Sequence, residues 1–235
     1  MLKVSRQPNG QPEIFHSIQG EGVCAGKPAV FLRLALCNLA CVWCDTRYTW
    51  DWERYDQRKG IRELSLGEAE EVVHRYRCRS LVVTGGEPLV QQRSLTPLLE
   101  RLKGSGFWIE VETNGTIVPG KKLFGVVDHW SVSPKLENSG NPASLRENPE
   151  AYRRFRDLPS AHFKFVVEKA DDLAELLAMV GRYEIPPDKI VLMPQAQDGD
   201  TLLERSRWLA DVCKREGYLF STRLQILLWG NQRGV

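Results

Sequence analysis

Long hydrophobic runs are missing from these 235 residues. No apolar stretch approaches the ~20 residues that a membrane-spanning helix needs, and the polar start MLKVSRQPNG lacks the apolar centre of a signal peptide. A cytoplasmic location without membrane partners is the expectation. A dominant sign of charge is missing too. With 32 Lys and Arg against 30 Asp and Glu, the formal net charge is +2, too small a field to argue for nucleic acid as a partner. Any basic side chain that matters must act locally. Cysteine is sparse, with six in the chain, which excludes a disulfide scaffold and leaves the thiols free for metal or chemistry in a reducing compartment. Cys24, Cys78 and Cys213 stand alone and read as small buried hydrophobes. What remains is ordinary soluble-protein composition, no repeat, and a length suited to one α/β domain over residues 1–235.

β-rich runs recur at residues 30–36, 80–87, 108–115, 129–135, 162–167 and 190–195. Helical patterns lie between several of them, the alternation expected of βα units and a mostly parallel six-stranded sheet. Ser65 and Glu68 form a capping box that starts a helix over about 66–77, with Ala69, Val72, Val73 and Tyr76 on one face. Thr201 and Glu204 repeat the box ahead of a helix that Gly217 stops. Further helices are expected near 171–180 and near 95–102, the latter ending at Gly104. Residues 137–150, rich in turn formers, read as a mobile surface loop, and a tolerated insertion explains them better than a functional role does. The polar clusters TGGE, ETNG, SPK and MPQ all fall at the C-terminal ends of expected strands, which in a parallel α/β barrel share one face.

The densest chemistry is LCNLACVWCDT, where Cys37, Cys41 and Cys44 stand at C-x3-C-x2-C spacing just after the first strong strand. Three thiolates from one loop can hold three irons of a 4Fe-4S cubane and leave the fourth iron without a protein ligand. Structural zinc sites fill all four positions. The histidines His16, His74, His129 and His162 show no spacing paired with the cysteines, although a distant one could join in space, so zinc stays as an alternative.

This triad after a first strand, with Trp43 before the last cysteine and TGGEP about 40 residues on, resembles the radical S-adenosylmethionine enzymes. The resemblance implies a shortened, partial (β/α) barrel, a 4Fe-4S cluster on Cys37, Cys41 and Cys44, and S-adenosylmethionine chelating the open iron. One-electron cleavage of that cofactor yields a 5′-deoxyadenosyl radical. The stretch IFHSIQGEGVCAGKPAVFLRLALCNLACVWCDTRYTW is more specifically similar to the 7-carboxy-7-deazaguanine synthase family, and VVTGGEPL, VETNGT, SPK, MPQ and LLWGNQRGV extend the similarity over nearly the whole chain. Members of that family are homodimeric lyases of queuosine and 7-deazapurine biosynthesis. The implied reaction takes 6-carboxy-5,6,7,8-tetrahydropterin to 7-carboxy-7-deazaguanine, by hydrogen abstraction at C6, ring contraction and loss of ammonia. An external one-electron donor of the flavodoxin or ferredoxin type is implied as well.

A carboxylated pterin is anionic at one end and rich in N-H donors at the other. Arg33 suits the carboxylate as a bidentate partner, with a structural ion pair as its alternative. Ile18, Gln19, Gly20 and Glu21 of the IQGEG loop, with Thr84 and Glu112, suit the amino-pyrimidine edge, and the resemblance adds the terminal Val235. For S-adenosylmethionine the matching positions are Gly86 and Glu87 near the methionyl end, Ser133, Pro134 and Lys135 near the ribose or carboxylate, Gln195 toward the adenine, and Asn114. The resemblance makes Thr46 the protein ligand of a Mg2+ ion, which tolerates few protein ligands, and leaves Asp45 to orient the loop. One departure stands out: Gln225 occupies a position where many members carry histidine, and glutamine does not titrate near neutrality. Two other readings remain in view, a glycyl-radical activase acting on a protein and a non-enzymatic metal module.

Overall fold

Val30, Phe31, Leu32 and Leu34 are buried in a strand that carries the chain straight into the cysteine loop. In the computed structural model, which describes residues 1–235, ten strands form one sheet. They are β1 (Leu2–Ser5), β2 (Ile14–Ile18), β3 (Pro28–Leu34), β4 (Ile61–Leu64) and β5 (Ser80–Gly85), then β6 (Trp108–Thr113), β7 (His129–Val132), β8 (Ala161–Val167), β9 (Ile190–Pro194) and β10 (Leu219–Phe220). The helices are α1 (Gln57–Gly60), α2 (Leu66–His74), α3 (Gln92–Gly104), α4 (Lys121–Val126), α5 (Ala143–Arg146), α6 (Pro149–Arg156), α7 (Asp172–Tyr183), α8 (Gly199–Glu216) and α9 (Leu224–Trp229).

Strands β3, β5, β6, β7, β8, β9 and β10 are neighbours in that order and parallel. The six expected strands are all among them. The expected six-stranded sheet is nevertheless too small, because β1 and β2 add antiparallel to β3, β4 adds antiparallel to β1, and β10 adds to β9. Each addition is only two to five residues long, too short for a readable alternation. The order does not return on itself, so the barrel is partial and open. β5, β7 and β9 are buried almost throughout, as parallel strands with covered faces should be. One face of the sheet, including Ile109, Val111, Trp130, Val132 and Phe163, packs with Leu95, Leu98, Leu99 and Leu102 of α3 into a continuous core. The other face lines the lumen. No helix is long and apolar enough to cross a membrane.

Several local expectations need correction. The capping box of α2 is present, with Glu68 N donating to Ser65 Oγ and Ser65 N to Glu68 Oε2, but the helix stops at His74 rather than Arg77. α3 ends at Gly104 as expected but starts earlier, at Gln92, and α7 extends to Tyr183, where Glu184 takes a left-handed conformation (φ 51°). Thr201 does not cap α8. Asp198, one turn earlier, accepts from Thr201 N at 2.8 Å, since its carboxylate also favours the positive end of the helix. Cys24 and Cys213 are buried as expected, whereas Cys78 is only half-buried.

Residues 137–150 are not a free loop. They form a helical turn at Glu137–Ser139, then α5 and the start of α6, which Asn148 caps. Arg146 is buried among them, donates to Asn141 O and Lys135 O, and pairs with Glu175 at 2.6 Å. The turn formers are caps and corners of a segment that packs against the cysteine loop.

Candidate active site

A cavity of about 680 Å³ opens at the C-terminal ends of the parallel strands, within the size range of sites for small ligands. Cys37, Cys41 and Cys44 line one side of it. Leu36, just before the triad, is held at φ 74°, a conformation that a side chain rarely adopts and that costs about 1–3 kcal/mol unless its surroundings enforce it. They do: Leu36 N donates to Thr49 O, and Leu36 O accepts from Glu87 N, both at 2.8 Å. The sharp reversal turns the following cysteines into the cavity.

The sequence suggests that the glycines of TGGEP make room for a ligand; the structure gives them a nearer reason. A Cβ on Gly86 would lie 2.0 Å from Leu36 O, so the turn after β5 sits directly on the backbone of the cysteine loop. Glu87 is fully buried beneath it and accepts from Leu89 N, Asn114 N and Thr113 Oγ1. Burial raises its pKa above the usual carboxylate range, against the pull of those donors. Glu87 therefore pins β5, β6 and the glycine turn together and does not line the cavity. Pro134 does not line it either, and all the other expected site residues do.

Each cysteine sulfur has a donor near it. Leu39 N lies 3.4 Å from Cys37 Sγ, Asn141 Nδ2 3.3 Å from Cys41 Sγ, and Trp50 Nε1 3.3 Å from Cys44 Sγ. Burial pushes the Cys37 thiol up to about 12 and the Cys41 thiol upward too, so a bound metal must supply the charge that keeps them as thiolates. Three thiolates from one loop match three irons of a cubane and are one short of the four ligands of a structural zinc. The residues present thus fit an iron-sulfur cluster.

Beside the triad, Lys135 Nζ donates to Ser133 O and Ser133 Oγ, and burial pushes its pKa down. Asn114 Nδ2 donates to Asn38 Oδ1 inside the cysteine loop, which makes Asn114 a support of that loop. Gln195 receives the guanidinium of Arg205 at its carbonyl side and keeps its NH2 group for the cavity. Thr46 Oγ1 lies 3.5 Å from Cys44 Sγ on the cavity wall. Asp45 is paired with Arg223, in agreement with an orienting role.

The cavity floor is a charged network. Glu21 Oε2 meets Lys164 Nζ at 2.6 Å, and Glu21 Oε1 accepts from Arg223 Nε at 3.1 Å and Gln225 Nε2 at 2.7 Å. Burial alone would raise the Glu21 pKa; Lys164 and Arg223 overcome it and hold the carboxyl far below its usual range. Gln225 also packs onto Gly20, where a Cβ would lie 1.8 Å from its Oε1. Glu112 Oε1 accepts from Gln19 Nε2 at 3.1 Å and its Oε2 from Thr84 Oγ1 at 2.6 Å. Arg33 Nε pairs with buried Glu13 at 3.1 Å, so the structural ion pair exists, yet Arg33 still faces the cavity with its terminal nitrogens outside that pair. Arg233 pairs with the other oxygen of Glu13 at 3.0 Å and stacks on Tyr48 at 3.3 Å, which brings Val235 to the rim.

Lys164, Arg223, Glu13 and Arg233 were missed by sequence reasoning. Lys164 sits in HFKFVV, where its alternation toward the lumen was the available signal; Arg223 and Glu13 lie in no motif.

Residues 34–191 match the Radical SAM superfamily. A 7-carboxy-7-deazaguanine synthase of Pyrobaculum aerophilum is 41% identical over 227 residues, 94% of this chain and 95% of its own length. One of Rhodopirellula baltica is 34% identical over 235 residues, 95% and 87% of the two chains. The crystal structure of QueE from Escherichia coli superposes with a TM-score of 0.70 at 26% identity, covering 95% of this chain and 94% of that one.

Proposed function

Since the chain belongs to the radical SAM superfamily and, within it, to the 7-carboxy-7-deazaguanine synthases, we propose that its cavity converts 6-carboxy-5,6,7,8-tetrahydropterin to 7-carboxy-7-deazaguanine with loss of ammonia. The observation that carries this reading is that the cysteine triad and the polar group of Arg33, Glu112 and Glu21 line one and the same cavity. Cys37, Cys41 and Cys44 would hold the cluster, which with S-adenosylmethionine bound would supply the hydrogen-abstracting radical chemistry.

The chain's own residues bind and aim. Arg33 keeps Nη1 and Nη2 for the pterin carboxylate while Glu13 fixes its Nε, so its fork is set before binding. Glu112 has a further lone pair on each oxygen for the donors of the amino-pyrimidine edge, and Gln19 and Thr84 hold it in place. Gly86, Asn114, Ser133, Lys135 and Gln195 form the wall assigned to S-adenosylmethionine, with Glu87 behind it as a support. Thr46, next to the triad, is assigned to Mg2+ beside the substrate. Val235 covers the substrate end. Gln225 holds Glu21 by a hydrogen bond and moves no proton, which suits a purely positioning role. The working form is proposed as a cytoplasmic homodimer of one 1–235 domain each, reduced by an external flavodoxin or ferredoxin.

Replacing Arg33 tests the substrate assignment. Arg33→Ala should weaken pterin binding by about 10- to 100-fold, the value of a charged hydrogen-bonded pair. The fold should survive because Glu13 keeps Arg233 and Tyr48. S-adenosylmethionine cleavage in the absence of substrate should persist. Unchanged pterin affinity by calorimetry would remove Arg33 from the substrate site.

A further inference from the structure

At the other end of the lumen from the cysteine triad, a second group of ligating side chains converges. Cys24 Sγ, a Glu110 carboxylate oxygen and a His129 ring nitrogen all lie within 4.8 Å of one another, and all three residues are buried. None of them lines the large cavity. Glu110 stands in the first half of β6, His129 begins β7, and Cys24 closes the loop that follows β2.

Both Glu110 oxygens are buried without a hydrogen-bond partner, although the side chain is only 1% exposed. His129 Nδ1 approaches Glu110 Oε1 to 3.4 Å without completing a hydrogen bond, and it lies 3.9 Å from Cys24 Sγ. A buried carboxylate without a completed hydrogen bond is costly, and His129 at 3.4 Å compensates its charge only when protonated, so a cation suits the site. The spacing matches a shared ion. Tetrahedral zinc, with bonds of about 2.0–2.1 Å to nitrogen or oxygen and about 2.3 Å to sulfur, sets its ligands apart by roughly 3.4 Å (N to O) and roughly 3.6 Å (N to S).

The surroundings favour metal as well. His129 Nε2 lies 3.1 Å from His162 Nδ1; a proton held on that side leaves Nδ1 as a lone pair aimed at Cys24 and Glu110. Lys27 Nζ lies 3.9 Å from Cys24 Sγ, yet burial and Glu110 push that thiol up to about 11, so a bound ion must itself displace the proton. One thiolate, one carboxylate and a neutral imidazole around a divalent ion make a neutral set, which a buried site tolerates best. Thiolate with imidazole suits zinc better than magnesium or calcium.

We propose that Cys24, Glu110 and His129 bind one Zn2+ ion, distinct from the iron-sulfur site, with His162 as the positioning residue of His129. Binding displaces the Cys24 thiol proton to solvent and involves no redox step. The ion ties the loop that presents Gln19 and Glu21 to the lumen onto the floor of β6 and β7.

The test starts from anaerobically reconstituted holoenzyme, whose cluster occupies the other three cysteines, equilibrated with zinc and freed of excess by gel filtration. Metal analysis should find about four irons and about one zinc per chain. Cys24→Ser and Glu110→Gln should lose the zinc and keep the iron, and added Zn2+ should raise the thermal midpoint of the parent protein but not that of Cys24→Ser. Wild-type zinc no higher than in Cys24→Ser, or a zinc-induced midpoint shift that survives Cys24→Ser, would overturn the proposal. Should Glu110→Gln fail to fold, the parent and Cys24→Ser decide between these outcomes.

Discussion

Cys41→Ala yields a protein that stays nearly colourless after anaerobic reconstitution, carries little iron and shows no turnover. Cys41 is 8% exposed and its sulfur lies between Asn141 and the cavity, so no other thiol can reach its place. The remaining cysteines are remote from the loop: Cys24 belongs to the opposite end of the lumen, and Cys78 and Cys213 pack near Pro28 and Leu219. Asn141→Ala, which removes only the donor to that sulfur, should cost about 10- to 100-fold in activity while retaining the cluster, as is usual for groups that orient a metal ligand. The contrast between the two variants separates ligation from support. Full iron content in Cys41→Ala would place the cluster elsewhere.

Glu21→Ala should be the most destabilising single change in the cavity floor. Removing one partner of a buried ion pair costs about 3–5 kcal/mol, and the lower end applies because Arg223 keeps Asp45 and Lys164 keeps Glu112 at 3.9 Å. A loss of about 3 kcal/mol in a chain of this size lowers the thermal midpoint by roughly 6–12 °C. The effect depends on pH in a defined sense. The folded-state pKa of Glu21 is depressed, so its contribution is fully present above the ordinary carboxylate pKa and fades as pH falls toward the depressed value. The difference between wild type and Glu21→Ala should therefore be large at neutral pH and shrink in acid. A pH-independent difference would mean that charge pairing is not its source.

How far the sequence could be read follows from the range of the interactions involved. The parallel strands announced themselves because burial on both faces leaves continuous apolar runs such as VFLRLAL and SLVVTG. The cysteine loop did so because three ligands fell within eight residues. Glu13, Lys164 and Arg223 did not, because their roles arise only when distant elements meet: Lys164 and Glu21 are 143 residues apart, and Arg223 and Asp45 178. The same limit explains Glu87, whose place beside a glycine turn suggests a ligand contact while its carboxylate accepts from the backbone at Leu89 and Asn114 and from the Thr113 hydroxyl. Residues 137–150 misled through composition, since asparagine, proline and serine cap short helices as readily as they form loops.

The competing readings separate on these grounds. A glycyl-radical activase is not favoured, given relatives of matching length that share the synthase name. A non-enzymatic metal module is not favoured either, because residues 34–191 match the Radical SAM superfamily.

The most direct measurement is anaerobic incubation of the reconstituted protein with 6-carboxy-5,6,7,8-tetrahydropterin, dithionite, Mg2+ and S-adenosylmethionine, followed by mass spectrometry. The expected result is 7-carboxy-7-deazaguanine formed with release of ammonia, over many turnovers and with S-adenosylmethionine recovered. A cluster-loaded protein that cleaves S-adenosylmethionine yet leaves the pterin unchanged would contradict the account.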